Sequence, residues 1–322
     1  MRAGIELEGV LPLEITFEDV ARKIQSLILE HHRKVSLLGS EHVNTFEIQY
    51  RNSRGELKVW TVKDELFTLR TLGQSIEVTS PILKDPEDFK IFNQVTQILA
   101  QSGMESAPLT GGLHIHIDFP QPRGAEIASL VGIFSEIENE LLHRFSILKT
   151  RGNFIYPTYA HLKDLIQSEP LNQRSPDLLQ KLIRAQNRFH TLNLNSYNKF
   201  GTVEFRLFNS TLHLPAIELM TDFSIKLVEA IRTQNLNLVH YLTRSNEPIQ
   251  LDQVAQILDM KLAQPEAKKA LETILFEARR AIKNHFGTLE KENQLLRGIT
   301  ILLGTAAAIQ ALSESADQLL QS

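Results

Sequence analysis

The sequence predicts an α+β fold: a sheet domain with amphipathic helices over one face, followed by a helical C-terminal third. Three observations predict it. Strand-like and helix-like segments alternate through the first half, four strand segments share one apolar/charged alternation, and beyond about residue 213 only helical periodicity is found.

Gly4 to Gly9 alternates apolar and charged residues and reads as a strand. Thr16 caps a helix whose apolar positions Phe17, Val20, Ile24, Leu27 and Ile28 recur at helical spacing to about His32. Thr45 to Arg51 and Glu56 to Val62 alternate with period two around Asn52-Ser53-Arg54-Gly55, the pattern of a β-hairpin. Gln74 to Thr79 is a short strand stopped by Ser80-Pro81. Asp85 then caps a helix with Pro86 at its first position and a stripe of Phe89, Phe92, Val95, Ile98 and Leu99. Gly111-Gly112 precedes the strand Leu113 to Phe119, and Pro122 to Phe145 is a long helix. Ser175-Pro176-Asp177 opens another helix to about His190, and Gly201 to Phe208 is the last strand. Helical patterns follow over Pro215 to Thr233, Leu251 to Leu262, Pro265 to His285 and Leu289 to Ser315.

Composition narrows the function classes. The 322 residues carry 34 Lys+Arg against 38 Asp+Glu, a net charge of −4, and 42% are hydrophobic, which excludes a disordered chain and a basic nucleic-acid surface. There is no cysteine, so any metal must be held by carboxylate, imidazole, amide or water. Charges at Glu6 and Glu8 interrupt any secretory signal, and the longest apolar stretch, Ile299 to Leu312, falls short of the roughly 20 residues of a membrane span. A cytoplasmic protein without membrane or nucleic-acid partners is expected.

On a strand, residues i and i+2 share a face. Ile5 and Leu7 therefore oppose Glu6 and Glu8; Ile76 and Val78 oppose Glu77; Leu113, Ile115 and Ile117 oppose His114, His116 and Asp118; Val203, Phe205 and Leu207 oppose Glu204 and Arg206. Any one of these strands fits an ordinary wet sheet face. All four together would gather five carboxylates around one arginine, and like charges that close call for a cation. An oxygen-rich set with a minor imidazole share suits Mg²⁺ or Mn²⁺, ions that commonly serve phosphate substrates. Arg206 would stand ready to clamp a phosphate oxygen. No Walker-type or dinucleotide glycine motif is present. Two other readings stay open: a metal-dependent hydrolase using His114, His116 and Asp118, and a non-catalytic binding module.

Four segments in their order resemble the amidoligases of the carboxylate–amine ligase superfamily, relatives of glutamine synthetase and glutamate–cysteine ligase. They are Gly4 to Glu8, Ile76 to Leu83, Gly112 to Ile117, and Arg188 to Asn193 running into Thr202 to Phe208, with Trp60 to Asp64 as a weaker fifth. The similarity spans about residues 1–235. It implies a curved, mainly antiparallel sheet like the glutamine synthetase catalytic domain, with residues 1–235 catalytic and 236–322 a helical extension. It further implies that Glu6, Glu8, Glu77 and Glu204 bind magnesium around ATP phosphates, with His114 or His116 near metal and nucleotide. Arg206 matches a residue that contacts phosphate or acyl phosphate, while Arg188 and Asn193 match positions near substrate or nucleotide. The implied reaction is ATP-dependent amide formation between small-molecule or peptide carboxylates and amines, with Asp64 as the expected acceptor of the amine's proton. Ser210 and Leu66 depart from the family pattern, which usually has Gly and Ser there. The C-terminal helices are candidates for a subunit contact in a homo-oligomer, or for a substrate lid.

Overall fold

Nine strands pair into one open sheet, known from a computed structural model that describes residues 2–40, 44–64, 73–107, 110–145, 147, 156–157, 177–233, 250–260, 262 and 264–286. In chain order they are β1 (Ala3–Leu11), β2 (Val35–Ser40), β3 (Thr45–Arg51), β4 (Leu57–Asp64), β5 (Gln74–Thr79), β6 (Glu105–Ser106), β7 (Gly112–Asp118), β8 (Leu192–Asn193) and β9 (Thr202–Asn209). Their spatial order is β2-β3-β4-β5-β1-β7-β9-β8, with β6 attached to β1. Every ladder between these strands is antiparallel. The α+β class and the mainly antiparallel sheet are thus both present.

Eight helices are described: α1 (Phe17–His31), α2 (Pro86–Gln101), α3 (Gly124–Arg144), α4 (Asp177–Ala185), α5 (Ser196–Phe200), α6 (Leu214–Arg232), α7 (Leu251–Ile257) and α8 (Pro265–Phe286). Ring contacts show which sheet face they cover. Trp60 of β4 stacks on Phe92 of α2 at 6.2 Å, Phe205 of β9 meets Phe134 of α3 at 5.7 Å, and Phe208 of β9 meets Phe145, just past α3, at 5.3 Å. Ile5, Leu7, Val62, Ile76, Val78, Leu113, Ile115 and Ile117 complete that buried apolar face. Leu251, Val254, Ala270 and Ile274 join the same core. The short α5 differs, since Phe200 at its end touches the opposite face.

Local chemistry fixes the helix starts. Thr16 Oγ1 accepts from the Asp19 N–H at 3.0 Å while the Asp19 carboxylate accepts from the Thr16 N–H at 2.9 Å, a reciprocal capping box. The Thr16 hydroxyl, which donates to Asp19 Oδ2 at 2.7 Å, and then the Thr16 N–H hold the Asp19 carboxyl below its ordinary value. Replacing Thr16 by Ala is expected to cost about 1 kcal/mol, read as a lower urea midpoint at unchanged slope.

At the start of α2, Asp85 accepts from the Asp88 N–H at 3.1 Å and Pro86 follows. Asp88 itself is buried. Its Oδ2 meets Lys58 Nζ at 2.7 Å, with side chains 5% and 3% exposed, and accepts the Lys84 N–H at 2.8 Å. Lys58 also donates to the Ile82 carbonyl at 2.6 Å. Seating this pair turns α2, so Ile91 and Asp88 are buried while Phe89 and Ile98 are only half-buried.

Some elements differ from the sequence expectation. β2 was not foreseen, because Val35-Ser-Leu-Leu-Gly-Ser40 lacks clean alternation; it forms by pairing with β3, with Gly39 against the Phe46 ring. β6, β8 and α5 are too short to show a period. α4 ends at Ala185 rather than near His190, because the Gln186 amide donates to the Leu192 carbonyl and accepts from the Leu194 N–H, both at 3.0 Å. α7 stops at Ile257, and Asp259 turns the chain with φ 50°. The predicted helix from Leu289, the 235/236 boundary and Leu66 lie outside the described residues. By contacts the chain forms two compact units, Met1–Glu277 and Ala278–Ser322. No described helix is long and apolar enough to cross a membrane.

Candidate functional site

Antiparallel register partners project to the same side of a sheet, so the pairing decides whether the charged strand faces merge. They do. Glu77 of β5 is opposite both Lys63 of β4 and Glu8 of β1. Glu6 is opposite Thr79 on one side and His114 on the other. His116 lies between Gly4 and Glu204, and Glu204 is opposite Asn193. One charged face therefore runs from β4 to β8, on the side away from α2 and α3. Gly4 brings no side chain to it.

The side chains interlock. His114 Nδ1 lies 3.1 Å from Glu6 Oε2, 3.5 Å from Glu8 Oε1 and 3.8 Å from Glu204 Oε1. His116 Nε2 is 3.2 Å from Glu6 Oε1, without the alignment of a hydrogen bond, and its Nδ1 is 3.2 Å from Thr202 Oγ1. Glu204 accepts from Asn193 Nδ2 at 2.7 Å through Oε2 and from Arg206 Nη1 at 2.5 Å through Oε1. Glu8 Oε2 accepts the Gly112 N–H at 2.6 Å, so the Gly111-Gly112 turn brings a backbone donor onto the carboxylate. Ser210 donates to the Glu8 carbonyl and accepts from the Ala107 N–H, a seam that gives this departure from the family pattern a structural role.

A β-bulge shapes the Arg206 end. The register moves between Leu113 and Ile115, whose partners are Phe208 and Phe205, so β9 places Arg206 and Leu207 opposite His114 alone. Phe208, not Leu207, then shares the register of Leu113. Strand parity holds through Arg206 and slips by one beyond it.

Electrostatics follow from this crowding. Burial acts to raise the Glu6 carboxyl, but the His114 hydrogen bond, the close contact of His116 and the charges of both imidazoles outweigh it and hold Glu6 well below the usual carboxylate range. Burial acts to lower the His116 imidazole; contact with Glu6 and the charges of Glu204 and Glu6 overcome that and raise it. Arg206 is raised too, since Glu204 and Glu8 outweigh its burial.

The sequence profile of a family described as "Putative amidoligase enzyme" matches residues 1–228, which include every strand and every residue of the charged face. The chain belongs to this amidoligase family. No curated protein matches the chain. An amidoligase joins its substrates through an amide bond, and the amidoligase match ends within α6.

The charged face of this amidoligase fits a divalent cation. One ligand atom each from Glu6, His116 and Glu204 lie within 4.8 Å of one another. Nε2 of His114 and of His116 are buried without a hydrogen-bond partner among the described residues, an expensive state that ligation would relieve. Asp118 does not join this set; its carboxylate pairs with Arg2 at 2.9 Å, which leaves the His-x-His-x-Asp hydrolase reading without its third ligand.

Two expected site residues take no part in the contacts described above. Asp64 is in register with Ile76, one step out of phase with Lys63 and Glu77, and so falls off the charged face. The strand pairing does not support it as acceptor of the amine's proton. Arg188, expected on a helix, lies beyond the end of α4, exposed, with its guanidinium 4.8 Å from the Phe189 ring centre. The amidoligase face also holds residues the sequence reading did not single out. Lys63 and Thr79 contact Glu77, Thr202 contacts His116, and Phe200, 56% exposed, sets its ring edge-on to His116 at 5.8 Å. Parity from Trp60 and Val62 would have flagged Lys63; Phe200 carries no such signal.

Proposed function

We propose that this amidoligase is an ATP- and Mg²⁺-dependent ligase that couples a carboxylate to the amine of an amino acid or peptide through an acyl phosphate. The observation that carries the proposal is the approach of Glu6, His116 and Glu204 within 4.8 Å, with Arg206 bonded to Glu204. Glu6, His116 and Glu204 would hold the cation, and Mn²⁺ suits the same ligands. A bound divalent cation supplies charge neutralisation for phosphate oxygens.

The protein's own groups do the positioning. Asn193 and Arg206 orient Glu204 from opposite sides, and the Gly112 N–H fixes Glu8, so the carboxylates are set before any ligand enters. Arg206, held firmly charged, is placed to orient a phosphoryl oxygen. The exposed ring of Phe200 at the rim beside His116 offers an apolar plane to a nucleotide base. A substrate carboxylate oxygen attacks the γ-phosphorus and ADP leaves; the amine nitrogen then attacks the acyl carbon, and phosphate leaves as the nitrogen loses a proton.

Incubation with ATP, Mg²⁺ and mixed amino acids and peptides is expected to yield ADP, phosphate and an amide. Formation of AMP and pyrophosphate would replace the acyl-phosphate route with an adenylate. Cation binding should also depend on pH. A proton and a divalent cation compete for His116 Nε2, and the proton is favoured beyond its ordinary value near ~6.5. Mn²⁺ affinity is therefore expected to go on climbing as pH rises past that ordinary value and to level off only once the raised imidazole has lost its proton, with proton release on binding, measured by calorimetry in buffers of different ionisation enthalpy.

A further inference from the structure

The stretch from Asn193 to Thr202, which joins β8 to β9 through α5, bonds to two of the three cation ligands, one at each end. Asn193 donates to Glu204, and Thr202 Oγ1 lies 3.2 Å from His116 Nδ1. The Thr202 backbone is fixed by its neighbours. Its carbonyl accepts from Ser196 Oγ at 2.8 Å, it is in register with Asp118, and Gly201 before it takes a φ of 69° while accepting the Phe119 N–H at 3.1 Å. Thr202 and His116 are both buried, 8% and 9% exposed, so water is a poor substitute for either partner. The two ring nitrogens have different surroundings. Nδ1 meets the hydroxyl, whereas Nε2 lies 3.2 Å from Glu6 Oε1 and 3.9 Å from Glu204 Oε1, on the side of the ligand set. An imidazole that gives Nε2 to a cation keeps its one proton on Nδ1, and that buried N–H needs an acceptor.

We propose that Thr202 is a positioning residue of the cation site: its hydroxyl accepts the His116 Nδ1–H and keeps Nε2 turned towards Glu6 and Glu204 as the ligand atom. This rests on the reading of the face as a cation site. A hydroxyl suits the part because it can rotate to accept from a protonated Nδ1 or to donate to a bare one, so the ring keeps its place with the cation bound or absent. A valine of the same shape would hold the ring by packing alone, and a cation on Nε2 would then strand the Nδ1–H.

The test uses the full chain and Mn²⁺ alone, at a pH on the plateau of the affinity curve, with two readouts. In the first, free Mn²⁺ is followed by electron paramagnetic resonance. Thr202→Val is expected to weaken binding about 10–100-fold, the usual cost of removing the partner of a ligating histidine. Thr202→Ser, which keeps the hydroxyl, should bind like the unaltered protein. In the second, electron spin-echo modulation at saturating Mn²⁺ reports coupling of the ion to an imidazole nitrogen. That coupling should be present in the unaltered protein and in Thr202→Ser, weakened in Thr202→Val and absent in His116→Gln, which fixes its assignment. Circular dichroism checks that each variant folds, and Thr202→Ala removes the hydroxyl without adding a methyl should the valine fail to fit. A threonine that merely packs against the ring would alter the unfolding midpoint and neither readout. If Mn²⁺ binds with the nitrogen coupling but loss of the hydroxyl changes neither affinity nor coupling, the role of Thr202 is overturned and the cation site stands. Coupling that is missing from the unaltered protein, or that survives His116→Gln, also overturns it, because His116 is then not the ligand. If the unaltered protein binds no Mn²⁺, the cation site falls and this inference with it.

Discussion

Replacing Glu204 by Gln is expected to abolish tight divalent-cation binding and to lower amide-forming turnover by more than roughly 100-fold, since residues that merely orient a metal ligand already cost 10–100-fold. Glu204 is where the site converges. Its Oε1 meets Arg206 and lies within 3.8 Å and 3.9 Å of His114 and His116, and its Oε2 holds Asn193. The amide keeps the shape and removes the charge. Arg206 keeps Glu8 and Glu6 among the charges acting on it, so the fold should survive. Mn²⁺ titration of the variant, with its far-ultraviolet circular dichroism compared to the unaltered protein, separates a lost site from a lost fold.

Replacing Lys58 by Met is expected to be the most damaging change away from the charged face. It leaves Asp88 buried without its cation, at a cost of about 3–5 kcal/mol. Urea unfolding should show the loss, and the double change Lys58→Met with Asp88→Leu should recover most of it, because an apolar pair of similar size tolerates the same burial. The pair lies on the helix face, with Lys58 in register with the buried Tyr50, so Mn²⁺ affinity of the folded variant should be unaltered.

Much of this arrangement is written in strand parity. The split of Glu6 and Glu8 from Ile5 and Leu7, repeated on three more strands, fixes a charged and an apolar face for each strand. Applied to β4, the same count puts Lys58 and Asp64 with the buried Trp60 and Val62, and Lys63 with Glu77's side. It therefore puts Lys58 on the buried face, and it sets Asp64, the expected proton acceptor, off the charged face. Parity cannot say which strands are neighbours. That Glu6 meets His114, and Glu204 meets His116, follows only from pairing between segments about a hundred residues apart. Nor does it foresee a bulge, so Leu207 was assigned a position that Phe208 occupies. The end of α4 escaped for a related reason: the Gln186 side chain stops the helix by bonding to β8 and the residue after it, a tertiary contact, and Arg188 moves off the helix with it.

The proposed function requires the charged face to bind ATP through a divalent cation. Calorimetric titration of the full chain with ATP, with Mg²⁺ present and then with Mg²⁺ chelated, tests it most directly. Saturable ATP binding that requires Mg²⁺ and vanishes in the Glu204→Gln variant is the predicted result. No binding at millimolar ATP, or binding indifferent to both Mg²⁺ and Glu204, would contradict it.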